Sequence, residues 1–157
     1  MYYSGLDWYS TQNGEGIRIA LFVSGCRIHC KNCFNKEAWD FRYGKEYTSD
    51  VKNQIVEALK KEPYYAGLSI LGGEPMEPEN RDALFPLVQE VHNLGKSIWI
   101  YTGYTYNSLT EPGMIANKQF LDLVDVLVDG PFIEAFKDPK LLYRGSSNQH
   151  IIKFEKR

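Results

Sequence analysis

The chain is short of several things, and each shortage narrows what it can be. It has 157 residues and only three cysteines, all between positions 26 and 33. Cysteines paired along the chain would announce a disulfide framework, and their absence points to a reducing, cytoplasmic setting. No Lys/Arg run tracks a phosphate backbone and the formal charge is −2, so nucleic acid is not an expected partner. No apolar stretch approaches the roughly 20 residues that span a bilayer. The start, Met1-Tyr2-Tyr3-Ser4-Gly5, lacks the charged and apolar regions of a signal peptide, so no membrane is expected to be involved. No Ser–His–Asp or Cys–His arrangement stands out, and there is no repeat, linker or low-complexity segment.

What is present is the composition of a packed globule, 43% hydrophobic and 14% aromatic. The length suggests a single domain over residues 1–157. Strand-like and helix-like segments alternate, the pattern of an α/β fold with a mostly parallel sheet. Ile17–Val23 reads as a first strand leading straight into the cysteines. Residues 49–62 read as a helix capped by Thr48 or Ser49, with Val51, Ile55, Ala58 and Leu59 on one face. Residues 67–71 form a short apolar strand. Residues 80–94 form a second helix that Gly95 stops and that Pro86 is expected to kink or delay. Ser97–Tyr101, 125–128 and 151–154 read as further strands, with a helical stretch at 120–124. A complete eightfold barrel takes about 250 residues, so the expected architecture is a partial open (β/α) barrel, a mostly parallel curved sheet. In open α/β sheets ligands sit beyond the carboxyl ends of strands. The cysteine run, Gly72-Gly73-Glu74-Pro75, Thr102-Gly103 and Asp129-Gly130-Pro131 all follow strand ends, so they are expected to converge on one rim.

Cys26, Cys30 and Cys33 have the spacing C-x3-C-x2-C. Thiolates are the usual ligands of iron–sulfur clusters. A four-iron cubane takes four ligands, and three are supplied here, leaving one iron open. The amino and carboxylate groups of S-adenosylmethionine can chelate such an iron. The rival is zinc, whose structural sites take four protein ligands, so His29, His92 or His150 would have to complete the set. His29 itself reads as an exposed loop residue. The Gly72-Gly73 pair lets backbone approach a ligand, although Gly and Pro alone also mark an ordinary turn.

C-x3-C-x2-C with Gly72-Gly73-Glu74-Pro75 resembles the radical S-adenosylmethionine superfamily. Within it, the chain resembles the activating proteins of anaerobic ribonucleoside-triphosphate reductases. The resemblance is carried by Leu21-Phe22-Val23-Ser24-Gly25-Cys26, Cys33-Phe34-Asn35-Lys36, Ile98-Trp99-Ile100-Tyr101-Thr102-Gly103-Tyr104 and Asp125-Val126-Leu127-Val128-Asp129-Gly130-Pro131-Phe132. It implies a [4Fe–4S] cluster on Cys26, Cys30 and Cys33 as the metal-binding and catalytic centre. It also implies S-adenosylmethionine bound against Gly72 and Gly73, with Glu74 touching the cofactor or bracing the loop. Many superfamily members carry a bulky apolar residue before the third cysteine. Here that position is Asn32, so the adenine would rest on backbone and on Phe34, an aromatic face on which a base can stack, with Phe34 equally suited to the ordinary core. Thr102 and Asp129 are candidates to bond the ribose or carboxylate end of the cofactor, with Asp129 equally suited to capping a turn. The 144–149 segment is a candidate to frame the cavity or meet the partner.

The implied activity is reductive cleavage of S-adenosylmethionine to methionine and a 5′-deoxyadenosyl radical. That radical removes a hydrogen from one glycine of the reductase and leaves a glycyl radical. A one-electron donor such as flavodoxin is implied. Two alternatives remain: activation of another glycyl-radical enzyme of the formate lyase type or of a small molecule, and a non-catalytic metal-binding module.

Overall fold

Period-two alternation decides which side of the sheet each side chain takes. The computed structural model describes residues 1–30, 33 and 36–155. Its elements are β1 (Tyr2–Ser10), β2 (Ile17–Val23), β3 (Lys45–Glu46), α1 (Ser49–Lys61), β4 (Tyr65–Gly72), α2 (Pro78–Asn93), β5 (Ser97–Tyr101), α3 (Tyr106–Leu109), α4 (Ile115–Leu121), β6 (Val126–Asp129) and β7 (His150–Lys153). Along β2, β4, β5 and β6, one set of alternate residues is Ile19, Leu21, Val23, Leu68, Ile70, Ile98, Ile100 and Leu127. These pack with Ile55 and Leu59 of α1, Leu84, Leu87, Val88 and Val91 of α2, and Phe120 and Leu121 of α4 in the main core. The other set, including Phe22, Leu71, Tyr101 and Val128, lines a cavity on the opposite face.

The expected partial open (β/α) barrel is not what forms. Among the described residues the strands make one mixed, unclosed seven-stranded sheet, ordered β3-β1-β2-β4-β5-β6-β7. The pairings among β2, β4, β5 and β6 are parallel. Those of β1 with β2, β1 with β3, and β6 with β7 are antiparallel. The sheet is therefore parallel only at its centre, and both edges are finished by antiparallel strands. β1 and β3 are absent from the sequence reading. The half-buried, aromatic and polar mixture of β1 gives no continuous apolar run. β3 has two residues, both exposed.

Other boundaries shift for local reasons. α2 begins at Pro78 rather than at residue 80, because proline at the first helical turn is pre-set for helix and has no N–H to lose. Pro86 neither delays nor ends that helix. It is on the exposed side, where water can take the freed carbonyl one turn back. The helical stretch before β6 runs Ile115–Leu121, earlier than 120–124.

No described helix is long and apolar enough to cross a membrane.

A buried arginine underlies the cavity face. Arg18 on β2 is 1% exposed and, among the described residues, has no carboxylate bonded to it. Its Nε donates to Ser69 Oγ at 2.8 Å. Nη1 donates to the Glu15 carbonyl at 3.0 Å and to Ser97 Oγ at 2.9 Å. Nη2 donates to the Leu68 and Ser97 carbonyls at 2.9 and 2.8 Å. Burial lowers its pKa to about 10. The planar five-donor fork satisfies acceptors on three neighbouring segments.

Candidate functional site

The cysteine loop leaves β2 at Val23 and takes its shape from backbone on two sides. On one side Gly25, at φ 105°, donates its N–H to the Ala38 carbonyl at 2.7 Å, and Cys26 N–H donates to the Trp39 carbonyl at 3.2 Å. Both acceptors belong to the 3-10 turn Lys36–Trp39. On the other side Gly73 N–H donates to the Val23 carbonyl at 2.7 Å, and Glu74 N–H to the Gly25 carbonyl at 2.8 Å. Buried Asn80 joins loop and turn, its amide donating to the Ser24 and Glu74 carbonyls at 2.9 and 3.0 Å. A Cβ on Gly73 would stand 2.8 Å from the Gly25 carbonyl oxygen and 2.9 Å from that of Ala38. Only glycine lets the turn after β4 lie this close to the cysteine loop.

Cys26, Cys30 and Cys33 line one cavity of about 490 Å3 together with Gly72, Gly73, Glu74 and Thr102. Gly103, Gly130 and Phe132 also reach it, so the segments following β2, β4, β5 and β6 do meet at one place. All three thiols are free. Among the described residues no three His, Cys, Asp or Glu side chains are gathered closely enough to hold a metal ion, so the thiols share a wall rather than a finished cage. Burial pushes the Cys26 and Cys30 thiols up. Main-chain N–H groups of His29 and Ile28 oppose this at Cys26, and that of Phe132 does so at Cys30. Such N–H groups favour thiolate and are among the contacts that tune cluster-bound sulfur. The donor chemistry fits an iron–sulfur cluster.

Glu74 is 1% exposed. Its Oε1 accepts from Gly103 N–H at 2.7 Å. Its Oε2 accepts from Thr102 Oγ1 at 2.7 Å and Met76 N–H at 2.9 Å. Burial raises its pKa to about 7 despite these three donors. Thr102 Oγ1 also accepts from Tyr104 N–H at 3.1 Å, so its hydroxyl is committed to bracing. Asp129 is buried but does not line the cavity. Its Oδ2 accepts the N–H of Tyr106, the first residue of α3, at 2.8 Å, and Oδ1 meets His150 Nδ1 at 3.1 Å. Asn32 and Phe34 lie outside the described residues. His29 is exposed, at φ 51°, with its ring stacked on Trp39 at 4.3 Å.

One residue of this neighbourhood is missed by sequence reasoning. Glu77, 2% exposed, accepts Arg27 N–H at 2.6 Å on Oε2 and Tyr104 O–H at 2.7 Å on Oε1. It ties the cysteine loop to the segment after β5. The guanidinium of Arg27 is in turn paired with Glu79. The only sequence signal is an acidic residue just before the helix-opening Pro78.

Residues 12–152 match the family model described as a 4Fe-4S single cluster domain, which sets the class: an iron–sulfur protein. The chain is 41% identical over 142 residues to the anaerobic ribonucleoside-triphosphate reductase-activating protein of Escherichia coli K12, covering 88% of this chain and 90% of that one. It is 43% identical over 145 residues to the protein of that name from Vibrio cholerae, covering 90% and 91%. It is 36% identical over 141 residues to that of Enterobacteria phage T4, covering 88% and 85%. The chain belongs to the family of anaerobic ribonucleoside-triphosphate reductase-activating proteins.

Proposed function

We propose that this protein is the activase of an anaerobic ribonucleoside-triphosphate reductase, and that it installs a glycyl radical on that partner with S-adenosylmethionine as the radical source. The observation that carries this reading is the shared cavity: three free thiols and the Gly72-Gly73-Glu74 turn on one wall, in a chain of this family. When bound, the cluster supplies the one-electron reduction that breaks a carbon–sulfur bond of S-adenosylmethionine. Cys26, Cys30 and Cys33 hold the cluster. Gly72 and Gly73 bring main chain to the methionine end of the cofactor. Glu74 holds Thr102 and Gly103 in place at the cavity edge. No acid–base pair is required, because the protein's share is position and exclusion of water. The electron comes from an external one-electron donor such as flavodoxin, in the cytoplasm.

The test is anaerobic. Reconstituted protein should bind about four irons per chain, the cubane stoichiometry, and the Cys30→Ala protein should not. Reduced protein with S-adenosylmethionine and the reductase should give a glycyl-radical signal by electron paramagnetic resonance. The signal should vanish when the reductase's radical-site glycine is alanine. An equal signal on that alanine variant would refute the assignment.

A further inference from the structure

Asn80, in the first turn of α2, grips both walls of the thiol site without reaching the cavity. It is 1% exposed and is not a cavity-lining residue. Its Nδ2 donates to the Ser24 carbonyl at 2.9 Å and to the Glu74 carbonyl at 3.0 Å, and the Gly25 carbonyl oxygen is 3.5 Å away. Its buried Oδ1 has no hydrogen-bond partner among the described residues. A primary amide has two N–H groups and one acceptor oxygen. Leaving a buried acceptor unpaired is costly, so the donors decide how this side chain is turned.

The bonded carbonyls belong to two different segments. Ser24 lies two residues before Cys26, and Glu74 directly follows Gly72-Gly73. Main-chain bonds already pair the two segments, Gly73 N–H with the Val23 carbonyl and Glu74 N–H with the Gly25 carbonyl. Two such bonds between backbone segments leave a hinge. Asn80 adds a third connection, through α2, whose Leu84, Leu87, Val88 and Val91 are fully buried in the main core. Glu77, the residue before the helix, takes hold on the far side of Cys26 by accepting the Arg27 N–H. Carbonyls ahead of Cys26 thus meet donors, and an N–H behind it meets an acceptor. Cys26 is the buried member of the three thiols, and Cys30 and Cys33 are partly exposed.

We propose that Asn80 is a positioning residue that fixes the cofactor turn at Gly73 relative to the cluster site at Cys26, and so sets how S-adenosylmethionine meets the cluster. The proposal rests on the activase reading above. A ligand that spans from the turn to an open iron needs the two walls at one separation. Outer partners of a metal site typically carry about 10- to 100-fold of affinity or activity although they touch no ligand.

The experiment uses reconstituted holoprotein under anaerobic conditions. S-adenosylmethionine is titrated into the dithionite-reduced protein, and the change in the cluster's electron paramagnetic resonance signal is followed. Asn80→Leu removes the donors at similar size, and Asn80→Ser removes the amide with a smaller side chain. Both should keep about four irons per chain and need about tenfold more cofactor for half the spectral change. Asn117→Ser is the control. Asn117 is also a buried amide, 6% exposed and outside the cavity lining, and it donates to the Leu109 carbonyl at 3.1 Å. Its loss should lower stability in urea melts of the apoprotein and leave the cofactor midpoint unchanged. If only one Asn80 variant keeps its iron, the midpoint of that variant decides. An unchanged midpoint in the variants that keep iron would overturn the assignment and leave the activase reading standing. An equal rise in Asn117→Ser would also overturn it, by tracing the effect to general loosening. Loss of iron from both Asn80 variants would confine Asn80 to holding the cluster and overturn it as well. A wild-type signal that S-adenosylmethionine does not alter, with no glycyl radical formed on the reductase, would sink the activase reading and this proposal with it.

Discussion

Gly73 and Gly25 are in backbone-to-backbone contact, so close that a Cβ on Gly73 would stand 2.8 Å from the Gly25 carbonyl oxygen. The family resemblance implies that Gly73 lies against the cofactor. The structure adds the cysteine loop on the side where a side chain would point. Gly73→Val should therefore cost both functions: iron per chain after anaerobic reconstitution should fall, and S-adenosylmethionine affinity with it. A variant that kept full iron while losing only cofactor binding would mean that the loop yields without harm.

Glu74 should make stability depend on pH in a defined direction. Its carboxyl is raised to about 7 in the folded protein, against about 4.3 unfolded. Between those values the folded state binds more protons than the unfolded state, so stability falls as pH rises and levels off above about 7. The span is about 3 kcal/mol. Glu74→Gln removes the titration. Whatever the cost of the lost acceptor, the variant should gain on wild type by about 3 kcal/mol between pH 4.5 and pH 8, measured by urea melts of the reduced apoproteins. Parallel pH curves would show that Glu74 is not the titrating group.

Glu77 should govern how well the cluster is kept, although it touches no cysteine side chain. Glu77→Ala frees Arg27 N–H and Tyr104 O–H together, a loss of about 2 kcal/mol or more in stability. Chelation by an iron-specific dye should strip the variant faster than wild type, with the same initial iron content. Equal stripping rates would confine Glu77 to general stability.

Arg18 gives an unusual ordering of variants. Arg18→Lys keeps a buried charge and satisfies fewer of the acceptors that Arg18 reaches. Arg18→Met removes the charge altogether. Loss of hydrogen bonds around a charge that stays buried costs more than loss of the charge itself, so Lys should be the less stable variant in denaturant melts. The reverse order would show that water reaches the ammonium.

Ile17–Val23 and Ser97–Tyr101 are legible to the residue because they are short β-branched and aromatic runs buried in the sheet. The meeting of four post-strand loops is legible too, since it follows from where parallel strands end. The mixed sheet is not. β1 hides because Tyr2–Ser10 is half buried with Gly and Ser among its aromatics, and β7 gives no sign in sequence of running antiparallel. Nothing in the run Ile17–Val23 marks Arg18 as buried, and only the tertiary structure supplies its acceptors. Glu77 has the same difficulty, because an acidic residue before a helix ordinarily needs no other explanation. Asp129 is recognisable as a polar residue at a strand end. Which of the ligand or α3 it serves depends on where Tyr106 N–H comes to lie.

Arg18 has a mechanical consequence for the mouth of the cavity. Its guanidinium rivets β2, β4 and β5 together near the amino ends of β2 and β5, away from the thiols. Strands pinned there do not splay like fingers to widen the mouth at the other end. The strands are the fixed part of the cavity, and any adjustment at its mouth falls to the loops at the carboxyl rim.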